Sequence, residues 1–313
     1  MINVLLLILG LVMLVKCADF FVDGCSNVAK ALGVPTLIIG LTIVSFGTSA
    51  PEAAVSVTAS IQGMNDIALG NVVGSNICNL LLVLGMSGLF GCLTAKRKII
   101  TRDFIYMIFS GIVLFILSFG FFLEGKTEGV ISQTNGLILL CFLAIYLYAL
   151  LGEALRSSRA KEEKAKFNFK DILFIIVGII GIILGGQLVV NNAVELANMF
   201  NISQNVIALT IVAIGTSLPE LVTSVVAAKK GEVDIAIGNA VGSNIFNIFF
   251  ILGLSSTISP ITFGIDSFYD IIFMLISSAV VYLLLLKNMR IGNKKGIILL
   301  IMYSLYMVYI LFR

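Results

Sequence analysis

Histidine is absent from the 313 residues, and so is tryptophan. Without histidine the chain cannot form Ser-His dyads, histidine proton relays or the usual histidine-containing zinc and iron sites. Without tryptophan, an interfacial aromatic belt has to rest on the 8 Tyr and 22 Phe. Charge is scarce as well: 12% of residues carry it, against roughly 25% in soluble domains. The net charge is only +3, and Lys and Arg sit in short clusters between apolar stretches, which argues against a nucleic-acid partner. Cys17, Cys25, Cys78, Cys92 and Cys141 form no CxxC pair and lie in or beside apolar segments, so they are expected to be small buried hydrophobes.

What fills the chain instead is apolar: 59% of residues are hydrophobic and the mean hydropathy is +1.11. A water-soluble globule of 33.6 kDa could not hide so much apolar side chain. The composition indicates an all-α polytopic membrane protein. At about 20 apolar residues per crossing, ten spans are expected, over 2–26, 36–61, 66–91, 102–122, 130–151, 171–197, 205–228, 234–258, 268–287 and 294–312. The N-terminal residues have no basic flank and run into a segment too long for a signal peptide, so they are expected to be a retained first span.

The basic residues test this count. With both termini outside, Lys30, the group Lys96, Arg97, Lys98 and Arg102, the linker with Arg156 to Lys170, the pair Lys229 and Lys230, and the group Lys287, Arg290, Lys294 and Lys295 all fall on one side. Only Lys126 and Arg313 fall on the other, and Lys16 lies within the first span. By the positive-inside rule the rich side, with the central linker, is cytoplasmic. The polar linker 152–170 divides the chain into five-span halves, 1–151 and 171–313, in a multi-pass protein of the cell membrane.

The halves contain one motif twice. Residues 39–85 match 207–253 at a constant offset of 168, with 27 identities in 47 positions. The first copy reads Gly47-Thr48-Ser49-Ala50-Pro51-Glu52, then Gly70-Asn71-Val72-Val73-Gly74-Ser75-Asn76-Ile77-Cys78-Asn79. The second reads Gly215-Thr216-Ser217-Leu218-Pro219-Glu220, then Gly238-Asn239-Ala240-Val241-Gly242-Ser243-Asn244-Ile245-Phe246-Asn247. Five spans is an odd number, so the second half enters the membrane from the opposite side. That makes an inverted repeat, an architecture that places substrate between the repeats near the midplane.

Glu52 and Glu220 are the only acids near the middle of a span. A mid-bilayer carboxylate is costly and marks a functional cavity unless a base neutralises it. Lys16 is the nearest candidate base, and it has Asp19 and Asp23 close by in its own helix. Pro51 and Pro219 remove a backbone donor in spans 2 and 7, which frees carbonyls around Gly47–Thr48 and Gly215–Thr216. In spans 3 and 8, Ser75 with Asn79 and Ser243 with Asn247 are four residues apart and share a helix face. For Asn71, Asn76, Asn239 and Asn244 polar glue between helices is the lesser alternative. Asp66 and Asp234 stand where helix N-caps are expected, and Asp19 and Asp23 read as a solvated helix end or an entrance lining.

Carboxylates, hydroxyls, amide oxygens and freed carbonyls make an all-oxygen shell, suited to hard cations such as Na⁺ and Ca²⁺. A charge of −2 is balanced by one Ca²⁺, two Na⁺ or two H⁺. An empty, doubly charged site is costly to carry through a dry state, so turnover requires a replacement ion.

These paired segments resemble the two alpha-repeats of the sodium/calcium exchanger family, within the calcium:cation antiporter superfamily, in its short prokaryotic form. The resemblance implies alternating access, with spans 1 and 6 sliding against a core of spans 2–5 and 7–10. It implies broken helices 2, 3, 7 and 8 around a midplane ion site. Its ion ligands would fall on Thr48, Ser49, Glu52, Ser75, Asn79, Thr216, Ser217, Glu220, Ser243 and Asn247, with carbonyl ligands at Ser45 and Ala213. Many relatives have Asp where this chain has Asn247, which bears on Na⁺ stoichiometry and K⁺ involvement. The large regulatory region that animal relatives carry between the halves has no counterpart in the short linker. The expected function is exchange of Ca²⁺ for Na⁺ across the bilayer, with no cofactor. H⁺ or K⁺ coupling is the alternative, a passive cation channel ranks below it, and an intramembrane hydrolase using Ser49 or Ser217 ranks last, so the chain is not expected to be an enzyme.

Overall fold

A computed structural model of the chain describes residues 2–63, 65–123, 128–160, 168–199 and 213–312. Eight helices within it are long and apolar enough to cross a membrane: α1 (Ile2–Leu32), α4 (Ile67–Phe90), α5 (Ile99–Gly120), α6 (Gln133–Ser158), α7 (Phe169–Leu196), α10 (Val233–Ile258), α11 (Ile265–Asn288) and α12 (Asn293–Phe312). The pair α2 (Thr36–Thr48) and α3 (Ala50–Ile61), bent by 49°, makes a ninth when it is counted as one span. The span expected over 205–228 is described only as α8 (Ala213–Thr216) and α9 (Leu218–Lys229); its first part lies outside the described residues.

The two breaks follow from proline. Pro51 and Pro219 occupy the first turns of α3 and α9, and the junction residues Ser49 (φ −81°, ψ 6°) and Ser217 (φ −88°, ψ 4°) leave helical geometry alike. Helices 3 and 8 correct the expectation of breaks there. Each runs on continuously, and the irregularity is a π-helical stretch, Asn79–Val83 in α4 and Asn247–Leu252 in α10. No proline lies in either helix, so the backbone bonding changes register without being cut.

The motif helices are innermost. In α10, 94% of the apolar window is buried and in α4 72%, whereas α1, α6 and α12 bury only 22%. The outer helices turn Leu5, Ile8, Leu9, Ile145, Leu147, Ile301 and Leu305 outward, the arrangement expected where lipid is the solvent. Close packing rests on small residues. Gly85 and Gly296 meet face to face between α4 and α12, and Gly253 and Gly136 do the same between α10 and α6. Gly10 and Gly185 bring α1 against α7 in the same way.

Short strands tie the helix connections together. β1 (Leu93–Thr94) pairs antiparallel with β4 (Arg290–Ile291), and β2 (Gly129–Ile131) pairs with β3 (Ile261–Phe263). Polar groups gather at the same ends. Lys230 reaches Asp19 at 2.8 Å and Asp23 at 2.6 Å, so these acids serve the α9–α10 turn rather than Lys16. Burial works against the Lys230 charge, but the two carboxylates outweigh it and hold its pKa above the usual value. Asp234 is not an N-cap: it lies in the first turn of α10, pairs with Lys96 and accepts a 3.4 Å bond from Thr36. The Asp66 side chain lies outside the described residues. Cys25 and Cys78 are buried as expected, while Cys92 and Cys141 are exposed.

Candidate ion-binding site

Because each break places a new helix N-terminus inside the protein, Glu52 and Glu220 fall in the first turns of α3 and α9. Unpaired N–H groups and the helix dipole favour a carboxylate there. Both side chains are 0% exposed. Among the described residues, neither carboxylate has a Lys or Arg partner.

Their neighbours are hydroxyls, taken from both halves. Ser49 Oγ donates to Glu220 Oε1 at 2.8 Å, and Ser243 Oγ donates to the same oxygen at 3.5 Å. The mirror arrangement holds Glu52 Oε1 between Ser217 Oγ at 3.4 Å and Ser75 Oγ at 3.5 Å. Each acid is therefore held by the serine of the opposite broken helix and by the serine of the intact helix in its own half. A serine hydroxyl can rotate and turn a lone pair toward a cation instead, so these oxygens serve the carboxylates or an ion with little movement.

A further layer fixes this geometry. Asn71 Nδ2 donates to the Glu52 carbonyl at 3.2 Å and to Ser56 Oγ at 2.9 Å, while its Oδ1 accepts from Thr216 at 3.5 Å. Asn239 repeats the pattern with the Glu220 carbonyl, Ser224 and Thr48 at 3.4, 3.0 and 3.0 Å. Thr48 and Thr216 thus each bond to the asparagine of the opposite half. Asn76 and Asn244 each donate to the other's backbone carbonyl, at 3.3 and 3.2 Å, which joins α4 to α10. Ser45 offers its carbonyl to Ser243 Oγ at 3.5 Å and to Thr48 Oγ1 at 3.4 Å. The Ala213 side chain lies outside the described residues, though its backbone begins α8.

The expected site residues are largely brought together, and the supporting Asn71, Asn239, Ser56 and Ser224 complete them. Ser56 and Ser224 carried a signal in the sequence that had no assigned role: both recur at the offset of 168.

Buried polar atoms without hydrogen-bond partners concentrate in the motif. They include Glu52 Oε2, Glu220 Oε2, Asn247 Oδ1 and both amide atoms of Asn79. Orphaned buried acceptors are costly unless something positive meets them. Asn247 donates from Nδ2 to Asn76 Oδ1 at 3.0 Å. Asn247→Asp would set a carboxylate against that amide oxygen and add a third buried negative charge. Flux measured against pH is expected to shift its dependence toward higher pH, or to change ion selectivity; an unchanged profile removes Asn247 from the ligand set.

The comparisons with known proteins converge on one family. The model of the sodium/calcium exchanger protein family matches residues 2–152 and 170–312. Sodium/calcium exchanger MaX1 of Methanosarcina acetivorans is 34% identical, with 98% of each chain covered. Inner membrane protein YrbG of Escherichia coli is 38% identical over 82% of this chain and 79% of its own. Among solved structures, the sodium-calcium exchanger NCX_Mj, soaked with Na⁺ and Sr²⁺, superposes with a TM-score of 0.83 at 31% identity, covering 98% of both chains. With the doubled motif, the crossed serines and nearly every described residue inside the match, the chain belongs to the sodium/calcium exchanger protein family.

Proposed function

We propose that the protein is a secondary antiporter that exchanges Ca²⁺ for Na⁺ by alternating access, with Glu52 and Glu220 as the charged ligands. The observation that carries this reading is the pair of fully buried carboxylates, which among the described residues each have one oxygen lacking a hydrogen-bond partner and no Lys or Arg partner. Two negative charges in an apolar interior call for two positive ones, and a hard divalent ion or two monovalent ions supply them. Ser49, Ser75, Ser217 and Ser243 complete the oxygen shell with Asn79, Asn247 and the carbonyls of Ser45 and Ala213. Thr48 and Thr216, which also bond to Asn239 and Asn71, are the remaining ligands in this reading.

The wider architecture in this reading is ten spans, built as two inverted five-helix halves, 1–151 and 171–313. The linker 152–170 lies in the cytoplasm and both termini lie outside. The strand pairs support such alternation, because each joins connections that a ten-span count puts on one side of the bilayer. The glycine-lined contact of α1 with α7 supports sliding of that pair against the core.

Flux in proteoliposomes tests the exchange. Ca²⁺ uptake is expected when an outward Na⁺ gradient is imposed at fixed pH, and is expected to stop when that gradient is collapsed. Uptake driven by a H⁺ gradient alone would establish H⁺ coupling in its place. Uptake with no counter-ion on the far side would establish a channel.

A further inference from the structure

An asparagine amide has two ends of like size and opposite character: Oδ1 accepts, and Nδ2 only donates. Turned one way it is a cation ligand, and turned the other way it repels the ion. Asn79 and Asn247, equivalent in the two halves, differ in what sets their direction.

At Asn247 the direction is fixed by a chain of bonds that starts at a methionine. Asn76, only 1% exposed, is met at one end by two acceptors, the Asn244 carbonyl at 3.3 Å and Met274 Sδ of α11 at 3.5 Å. Neither acceptor has a proton to give, so that end of Asn76 has to be Nδ2. Its Oδ1 is then the end that faces Asn247, at 3.0 Å. An oxygen there requires a donor. Asn247 therefore presents Nδ2 to Asn76 and keeps Oδ1 free, on the helix face it shares with Ser243.

The other half starts alike and stops short. Asn244 Nδ2 donates to the Asn76 carbonyl at 3.2 Å and to Met107 Sδ of α5 at 3.7 Å. Its Oδ1, however, has no hydrogen-bond partner among the described residues, and neither end of Asn79 has one. One amide is thus held and its counterpart is not, although all four asparagines recur at the offset of 168.

We propose that Asn76, itself held by Met274, is the positioning residue that makes Asn247 an oxygen ligand, while Asn79 turns to suit the ion. The relay rests on Asn247 being an ion ligand, as proposed above. Without an acceptor at position 76, the Asn247 amide populates orientations that the ion must first reverse, and apparent affinity falls with the competent fraction.

Ca²⁺ uptake by proteoliposomes, under the gradient that drives the parent protein and as a function of Ca²⁺ concentration, tests this with paired leucine variants. Asn76→Leu and Asn244→Leu each remove one bond to the opposite backbone carbonyl and one to a methionine, so a purely structural role predicts equal effects and the two are expected to melt alike. Only Asn76→Leu also removes the acceptor of Asn247. It is expected to raise the KM for Ca²⁺ about fivefold, the worth of one hydrogen bond, with kcat within about twofold of the parent. Asn244→Leu is expected to shift KM by less than about twofold, and Asn247→Leu, which removes the ligand itself, to raise it at least about tenfold. Should Asn76→Leu fail to fold, Met274→Leu keeps the volume and removes only the sulfur acceptor; it is expected to raise KM about twofold where Met107→Leu leaves it at the parental value. Equal KM shifts in Asn76→Leu and Asn244→Leu overturn the relay, as do equal values in the two methionine variants. A raised KM in Asn247→Leu beside either result overturns the relay alone and leaves Asn247 a ligand; a parental KM in Asn247→Leu removes Asn247 from the site and the relay with it.

Discussion

Replacing Glu52 by glutamine is expected to abolish Ca²⁺ transport while leaving the protein folded and inserted, and Glu220→Gln is expected to do the same. The amide keeps an oxygen to accept from Ser217 and Ser75 in the first case, or from Ser49 and Ser243 in the second, so the local hydrogen bonds survive. The folded state also loses a buried charge that it must otherwise solvate, so the stability of the empty protein should not fall. What disappears is half of the negative charge that the proposed site offers an ion. Removing one partner of a buried charge pair costs about 3–5 kcal/mol, on the order of 10²-fold or more in affinity. Ca²⁺ flux in proteoliposomes, with a melting curve on the same preparation, separates the two quantities. Wild-type flux in either variant would remove the shared-site reading.

Gly242→Val should fail differently, by losing stability as well as flux. A Cβ at Gly242 would stand 2.7 Å from Ser45 Oγ and 2.9 Å from the Leu41 Cα, so the obstruction includes backbone. No rotamer change clears a backbone atom, and α2 would have to move away from α10. Overpacking of this kind costs roughly 1–3 kcal/mol. It also displaces Ser45 and Ser243, whose hydrogen bond joins the carbonyl of one half to the hydroxyl of the other, both of them proposed ligands. A fall of several degrees in Tm together with loss of Ca²⁺ flux is the expected pair of results. Normal melting and flux would show that α2 and α10 do not meet at this glycine in the working protein. The two variants separate chemistry from assembly: the glutamines should melt like the parent, and the valine should not.

The helix breaks show how far local chemistry carries. Pro51 and Pro219 announced the interruptions at Ser49 and Ser217, since a missing N–H acts on the chain whatever surrounds it. The π-helical stretches after Cys78 and Phe246 carry no such mark. No residue type dictates a change of hydrogen-bond register: with the similar stretches at Gly40–Val44 and Ile99–Asp103 counted, no residue type is common to all four. The ends of elements behaved in the same way. Asp234 has the residue type of an N-cap, but Lys96, 138 residues away, claims its carboxylate.

What the sequence determined by itself was the inventory: the apolar helices, the doubled motif, the two acids within it and the hydroxyl and amide side chains that recur with them. These rest on composition, on helical period and on a repeat in which polar residues recur at one offset, all properties of the chain read locally or against itself. What only the tertiary structure decided was who meets whom. That Ser49 serves Glu220 and Ser217 serves Glu52, that Asn76 and Asn244 exchange bonds, and that Asn247 ties to Asn76 are contacts across 165 to 171 residues of chain. A helical face says which side chains point together, but not which facing helix receives them. That is settled where glycines let backbones close to contact, and the two halves meet there around the carboxylates.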